Sequence, residues 1–264
     1  MGGLKKILIT GGNGYIGKNL YNSLKNVYDV VTLSRDDFDL RDQFETIKYF
    51  SNKYFDTVIH CAVSGGSRLR EDTISDMDNN LQMYYNLLNC KNKFSKLIHF
   101  GSGAELYFTN TPYGLSKHVI SESILGQENF YNIRIFAVFD ENELETRYIK
   151  TIIKKYIRHE SIHIFANKKM DFFYMKDFIS IIRYYIVNDN PPKSYDCVYS
   201  EKKTLLDIAN IVNSLDSHSV EVHIDSNTSE DYIGEFVSLD IEYIGLKTSI
   251  NDVYEKIKND LQLN

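Results

Sequence analysis

Tyr113 and Lys117 stand four residues apart in Pro112-Tyr113-Gly114-Leu115-Ser116-Lys117. In a helix that spacing puts both side chains on one face. An ammonium beside a phenol favours the phenolate and lowers the phenol's pKa. A phenol tuned in this way exchanges a proton with a carbonyl or hydroxyl near neutral pH. Ser102, in His99-Phe100-Gly101-Ser102-Gly103-Ala104-Glu105, follows an apolar run and offers a hydroxyl to the same substrate oxygen.

A second constellation lies near the N-terminus. Lys6-Ile7-Leu8-Ile9 reads as a strand and runs into Thr10-Gly11-Gly12-Asn13-Gly14-Tyr15-Ile16-Gly17. Gly11 allows a tight turn, Gly14 lets backbone approach a pyrophosphate, and Gly17 permits close packing of helix on strand. The amides of the helix that follows, with their positive potential, suit phosphates. Thr10, Gly11, Asn13, Gly14, Tyr15, Ile16 and Gly17 are therefore expected to bind a dinucleotide. The next strand ends in Leu33-Ser34-Arg35-Asp36. An arginine there suits the 2′-phosphate of NADP, whereas an acidic residue suits the ribose hydroxyls of NAD. Ser34 and Arg35 point to NADP(H), and Asp36 leaves NAD open. Asp39 or Leu40 is expected to border the adenine, and Asp42 reads equally well as a helix N-cap.

The elements that must position these residues alternate. Strands are expected over 6–9, 29–33, 57–61, 96–100 and 131–138, and helices over 14–25, 43–52, 73–90 and 112–127. Such alternation predicts a doubly wound α/β fold, a parallel sheet covered by helices on both faces. Its nearly continuous apolar strands, such as Thr57-Val58-Ile59-His60, fit burial on both faces. Further helices are expected over 143–159, 173–187, 204–215 and 249–261. The division anticipated is a dinucleotide-binding domain over 1–140, with parts of 160–200 returning to it, and a small α/β substrate lobe over 141–264.

The 264 residues carry 30 Lys+Arg against 36 Asp+Glu, a net charge of −6. That balance speaks against a nucleic-acid binder, which usually shows a basic face. No apolar run reaches the ~18 residues of a membrane span, and the N-terminus has no apolar core of the kind a signal peptide carries. The three cysteines, Cys61, Cys90 and Cys197, are widely spaced, which fits reduced thiols in the cytoplasm and no metal site. His60 and His99 are expected to be packed in or beside strands.

Taken together, the glycine loop, Asp39-Leu40-Arg41-Asp42, His60-Cys61-Ala62, Ser102 and Tyr-x-x-x-Lys resemble the extended short-chain dehydrogenase/reductase family, within the NAD-dependent epimerase/dehydratase superfamily. The resemblance covers roughly residues 6–180. It is nearest to the GDP-fucose-synthase-like nucleotide-sugar 4-keto reductases, through 33–40 and Gly65-Gly66. It implies a Rossmann fold and a homodimer. It implies roles for Ser102, Tyr113, Lys117 and Asn80 in catalysis, with Asn80 ordering the active-site helix and proton relay. It places Cys61, Ala62 and Val63 on the cofactor and Ser64, Gly65, Ser102, Gly103 and Arg147 on a nucleotide-sugar substrate. In that family such reductions feed bacterial surface-polysaccharide synthesis.

Departures from the family pattern narrow the chemistry. Members that eliminate water carry Asp-Glu after the catalytic hydroxyl residue, where this chain has Gly103-Ala104. The GDP-fucose synthases use a cysteine two positions after the serine for epimerisation, where this chain has Ala104. The resemblance therefore implies NADPH-dependent reduction of a C4 keto group. A 4-epimerase or dehydrogenase with bound NAD, and a non-catalytic dinucleotide-binding protein, are the alternatives. The family's tyrosine four positions after its serine is Leu106 here, with Tyr107 next, and Ser102 is preferred to a register shifted by one because Gly103 cannot act. Met170 stands where a diphosphate-binding arginine is common.

Overall fold

The computed structural model describes residues 3–67, 69–226 and 229–262. The chain divides into two compact units. One comprises the chain up to Arg134 together with Tyr184–Tyr195, and the other comprises Ile135–Arg183 and Asp196 onward.

The first unit is built on a six-stranded parallel sheet, ordered β2-β1-β3-β4-β5-β9. The strands are β1 (Lys6–Thr10), β2 (Asp29–Leu33), β3 (Phe55–His60), β4 (Phe94–Ser102), β5 (Phe130–Ile135) and the later β9 (Ser194–Cys197). Between them lie α1 (Tyr15–Leu24), α2 (Gln43–Phe50), α3 (Ile74–Asn89), the four-residue α4 (Ala104–Tyr107) and α5 (Pro112–Leu125). This is the doubly wound α/β architecture expected. The helices start where local chemistry says they should. Asp42 caps α2 by accepting from the amide of Glu45. Thr73 and Asp76 form a reciprocal capping box on α3, and Thr111 caps α5 with Pro112 at its first position. A core of Leu8, Leu33, Phe50, Phe55, Val58, Tyr84, Leu87, Leu97, Ile120 and Ile124 fills one side of the sheet.

One expectation is corrected here: residues 131–138 divide into β5 and a separate short strand, β6 (Val138–Phe139). Two elements had no counterpart in the sequence reading. Ala104–Tyr107 coils into a helical turn. Polar Ser194–Cys197 supplies the sixth strand, although Ser-Tyr-Asp-Cys carries no apolar run to announce it.

The second unit holds β6, α6 (Tyr148–Ile157), β7 (Ile162–Ile164), β8 (Phe173–Tyr174), α7 (Met175–Val187), α8 (Leu205–Asn213), β10 (Val222–Ile224) and α9 (Leu246–Gln262). Two small parallel pairs, β6–β8 and β7–β10, replace a continuous sheet. Their apolar residues meet Ile149, Ile153, Tyr156, Ile208, Val212, Ile250, Val253 and Tyr254 in a second core. The helix expected over 143–159 begins only at Tyr148, because Leu144 and Glu145 are exposed. Phe173 and Tyr174 pair with Val138 and Phe139 before α7 starts. Among the described residues no helix is long and apolar enough to cross a membrane.

Candidate active site

Register across the first unit's sheet puts the chemistry at one edge. Thr10 pairs with Leu33 and with His60, and His60 pairs with His99. The segments leaving β1, β2, β3 and β4 therefore emerge side by side at the carboxyl edge. The strand order reverses between β1 and β3, the crevice where such sheets take ligands.

The loop after β1 is shaped mainly by close backbone approaches. Gly11 has φ +67°, and a Cβ there would lie 2.7 Å from the amide nitrogen of Ala62. A Cβ on Gly17 would lie 2.4 Å from the carbonyl oxygen of Gly11. Gly14 is exposed at the N-cap of α1, whose first turn has no acidic residue. Its N-terminal amides and the close approach of Gly11 to Ala62 form a cradle suited to a dinucleotide pyrophosphate. Thr10 Oγ1 lies 2.8 Å from His60 Nδ1 and accepts from the amide of Ala62 at 3.3 Å. Burial, with help from the charge of Lys117, pushes His60 down to about 3, so its ring stays neutral.

The turn after β2 is acidic. Asn13 Nδ2 donates to Asp36 at 3.0 Å, which ties the second turn to the glycine loop. Ser34 offers its amide and hydroxyl to Asp37 at 2.8 and 3.1 Å. Arg35 is exposed. The Arg41 guanidinium grips Asp39 and holds its carboxyl below the usual range. Leu40 is buried, and its carbonyl accepts from Asn86 at 2.9 Å.

Tyr113 and Lys117 share a face of α5, with Lys117 Nζ 5.7 Å from the Tyr113 ring centre. Lys117 is 4% exposed and donates to the carbonyl of Phe100 at 2.6 Å. Burial pushes it down to about 8. Ser102 closes β4, and its hydroxyl accepts from the amide of Ala104 at 3.2 Å. That leaves the hydroxyl proton to donate elsewhere. Cys61 and Ala62 are half-buried and Val63 is exposed, just beyond β3. Gly103 is buried at the start of α4.

Asn80 is buried and fully engaged. Its Oδ1 accepts from the amide of Ser64 at 2.8 Å, and its Nδ2 donates to the Ser64 carbonyl at 2.9 Å and to Ser116 Oγ at 3.1 Å. It pins the loop after β3 to α5. Gly65 and Gly66 follow with φ +79° and +69°. A Cβ on Gly66 would come within 2.8 Å of two Tyr113 ring carbons, so this loop lies against the phenol.

Sequence reasoning missed what holds that loop. Ser64 Oγ donates to Asp76 at 2.6 Å, Gly66 N donates to Asp72 at 2.7 Å, and both terminal nitrogens of Arg70 reach Asp76 at 2.7 Å. Arg70, then Ser64 and the Thr73 amide, hold the Asp76 carboxyl well below the usual carboxylate range. The capping box around Thr73 was a readable signal for Asp76, whereas Arg70 lies in irregular chain with no pattern to mark it. Glu105, also missed, is a buried carboxylate one turn past Ser102.

Arg147 lies in the second unit, immediately before α6. Met170 is buried there, and its amide donates to the Lys203 carbonyl, which is a packing role.

The sequence profile of the "NAD dependent epimerase/dehydratase family" matches residues 7–197. GDP-L-colitose synthase of Yersinia pseudotuberculosis is 25% identical over 225 residues, covering 69% of this chain and 72% of that one. The GDP-mannoheptose C4 reductase of Campylobacter jejuni, solved with NADP bound, superposes with TM-score 0.81 at 17% identity, over 98% of this chain and 99% of that one. UDP-glucose 4-epimerase of Thermotoga maritima, solved with UDP-glucose, gives TM-score 0.79 at 17% identity, over 97% and 99%. Likenesses at such identity carry the fold, and the profile carries the family: the chain belongs to the NAD dependent epimerase/dehydratase family.

Proposed function

We propose that the protein reduces the C4 keto group of a nucleoside-diphosphate 4-keto sugar with NADPH. The observation that carries this reading is the pairing of Tyr113 and Lys117 beneath the Gly65-Gly66 loop, with Gly103 and Ala104 beside them. The set contains a proton donor, a cation and a hydroxyl, while positions 103 and 104 carry no group able to move a proton on the sugar carbons. NADPH, when bound, supplies the hydride. Tyr113 gives its proton to the oxygen that becomes the hydroxyl. Lys117 holds the ribose and steadies the phenolate that results, and Ser102 donates to the same oxygen in the carbonyl state. Asn80 keeps Ser64 and α5 in register. Acceleration then comes mainly from positioning and preset electrostatics. The two relatives named for reduction or synthesis of GDP-sugars favour this class of substrate.

A second reading of the cofactor has a specific observation behind it. Asp36, held by Asn13, sets a carboxylate at the end of β2, which favours ribose hydroxyls and NAD over a 2′-phosphate. Arg35 favours the reverse. Titration of both reduced dinucleotides by fluorescence decides between them, and tighter NADPH binding is the expected result.

The central test is Tyr113→Phe, assayed by NADPH oxidation with enzymatically made 4-keto sugar nucleotides. The variant should bind NADPH normally and lose ~10²-fold or more in turnover. Undiminished turnover would remove Tyr113 from its role.

A further inference from the structure

Glu105 takes no part in the reading above, yet it lies one turn past Ser102. It is 1% exposed on α4. One carboxylate oxygen accepts from Asn132 Nδ2 at 2.7 Å, and the other faces the amide of Ser102 at 3.3 Å. The Arg134 guanidinium is 3.6 Å away. Gly101 makes room for the group: a Cβ there would stand 2.5 Å from both Glu105 Oε2 and Asn132 Oδ1. On the other side of Gly101, Lys117 Nζ holds the Phe100 carbonyl. The two peptide groups flanking Gly101 are thus gripped by a buried cation and a buried anion.

We propose that Glu105 is a positioning residue, fixing the amide of Ser102 and giving the Lys117 ammonium its negative partner across the tip of β4. The proposal rests on the assignment of Tyr113, Lys117 and Ser102 to the site. A buried amine sheds its proton more readily than one in water, and a nearby carboxylate opposes that loss. Burial lowers Lys117, and Glu105 is the largest influence holding it up. Burial in turn pushes Glu105 up to about 7, against Arg134, the Ser102 amide, Asn132 and Lys117. The other titratable groups near Lys117 are His60 and Cys61 at the end of β3, His99 on β4 and Tyr113 on α5 itself. Both histidines are held neutral by burial, and burial keeps the Cys61 thiol protonated, so Glu105 is the source of negative charge. Its removal would leave Tyr113 facing a neutral amine over the upper part of the working pH range.

The test reads Lys117 directly, in protein labelled at the lysine ε-carbons, with the Lys117 resonance assigned by its loss in Lys117→Met. The wild-type midpoint is expected near pH 8. In Glu105→Gln it should fall by about one pH unit, a tenfold loss of proton affinity. A midpoint that stays in place overturns the proposal. Coupling is reciprocal, so Lys117→Met must raise the midpoint of the Glu105 carboxyl, assigned by Glu105→Asp. That arm keeps the proposal open to refutation if Glu105→Gln does not fold, and an unmoved Glu105 midpoint sinks it equally. Neither readout needs a substrate, so both stand if the sugar-nucleotide reading fails. Where turnover is measurable, Glu105→Gln should lower kcat at pH 8 about fivefold with KM unchanged, the ratio of protonated Lys117 in the two proteins. A rise in KM alone would contradict a positioning role.

Discussion

Two glycine loops leave neighbouring strands of the same sheet, and they are stabilised in opposite ways. The loop after β1 is built from backbone against backbone, with Gly11 on Ala62 and Gly17 on Gly11. The loop after β3 also turns on left-handed glycines, Gly65 and Gly66, but charged side chains hold it: Asp72 and Asp76, with Arg70 over them. A backbone-built loop is indifferent to salt and acid and intolerant of any added methyl. A charge-built loop depends on ionisation and can loosen without the fold being lost. The division suits the roles proposed, a fixed cradle for a dinucleotide beside a loop that lies against the phenol and adjusts to a sugar.

The sharpest way to break this comparison is Gly17→Val. Two methyls and a Cβ forced on the Gly11 carbonyl should weaken dinucleotide binding ~10²-fold and cost about 1–3 kcal/mol of stability, read by fluorescence titration and thermal unfolding. Normal binding would mean the cradle is not shaped by that contact. Gly66→Ala should be milder and different in kind. Its Cβ presses on the Tyr113 ring, and its φ of +69° is strained for alanine, so turnover should fall about tenfold while dinucleotide affinity holds. The smallest effect is expected for Asp76→Asn, in which amides of 64–67 and 69–72 should exchange hydrogen faster while those of 10–17 do not change. Acid should do the same to the wild type. The Asp76 carboxyl is depressed in the folded state, so its contribution is complete above the unfolded carboxylate pKa of about 4 and is lost as the pH falls below that. Equal loosening of both loops in acid would erase the distinction.

What the sequence made legible was local. The glycine spacing at 11–17, the four-residue step from Tyr113 to Lys117 and the cap at Asp42 are short-range patterns. The features it hid join residues far apart in the chain. Glu105 finds Asn132, 27 positions later, and only the pairing of β4 with β5 brings them together. Asn86, an ordinary helix residue by pattern, turns out to hold the carbonyls of Leu40 and Arg41. The strand Ser194–Cys197 is only four residues long and carries a buried aspartate, Asp196, so no continuous apolar run marks it. Exposed Leu144 was counted toward a helix that its surroundings do not support.

The grip of Lys117 on the Phe100 carbonyl carries a stoichiometric consequence. An ammonium has three hydrogens to donate, and here one is committed to the strand before any ligand arrives. In the role proposed for Lys117, two remain for the pair of hydroxyls on a nicotinamide ribose. The strand thereby orients the tripod before any ligand binds, and the entropy of freezing a long flexible amine falls to folding instead of to binding.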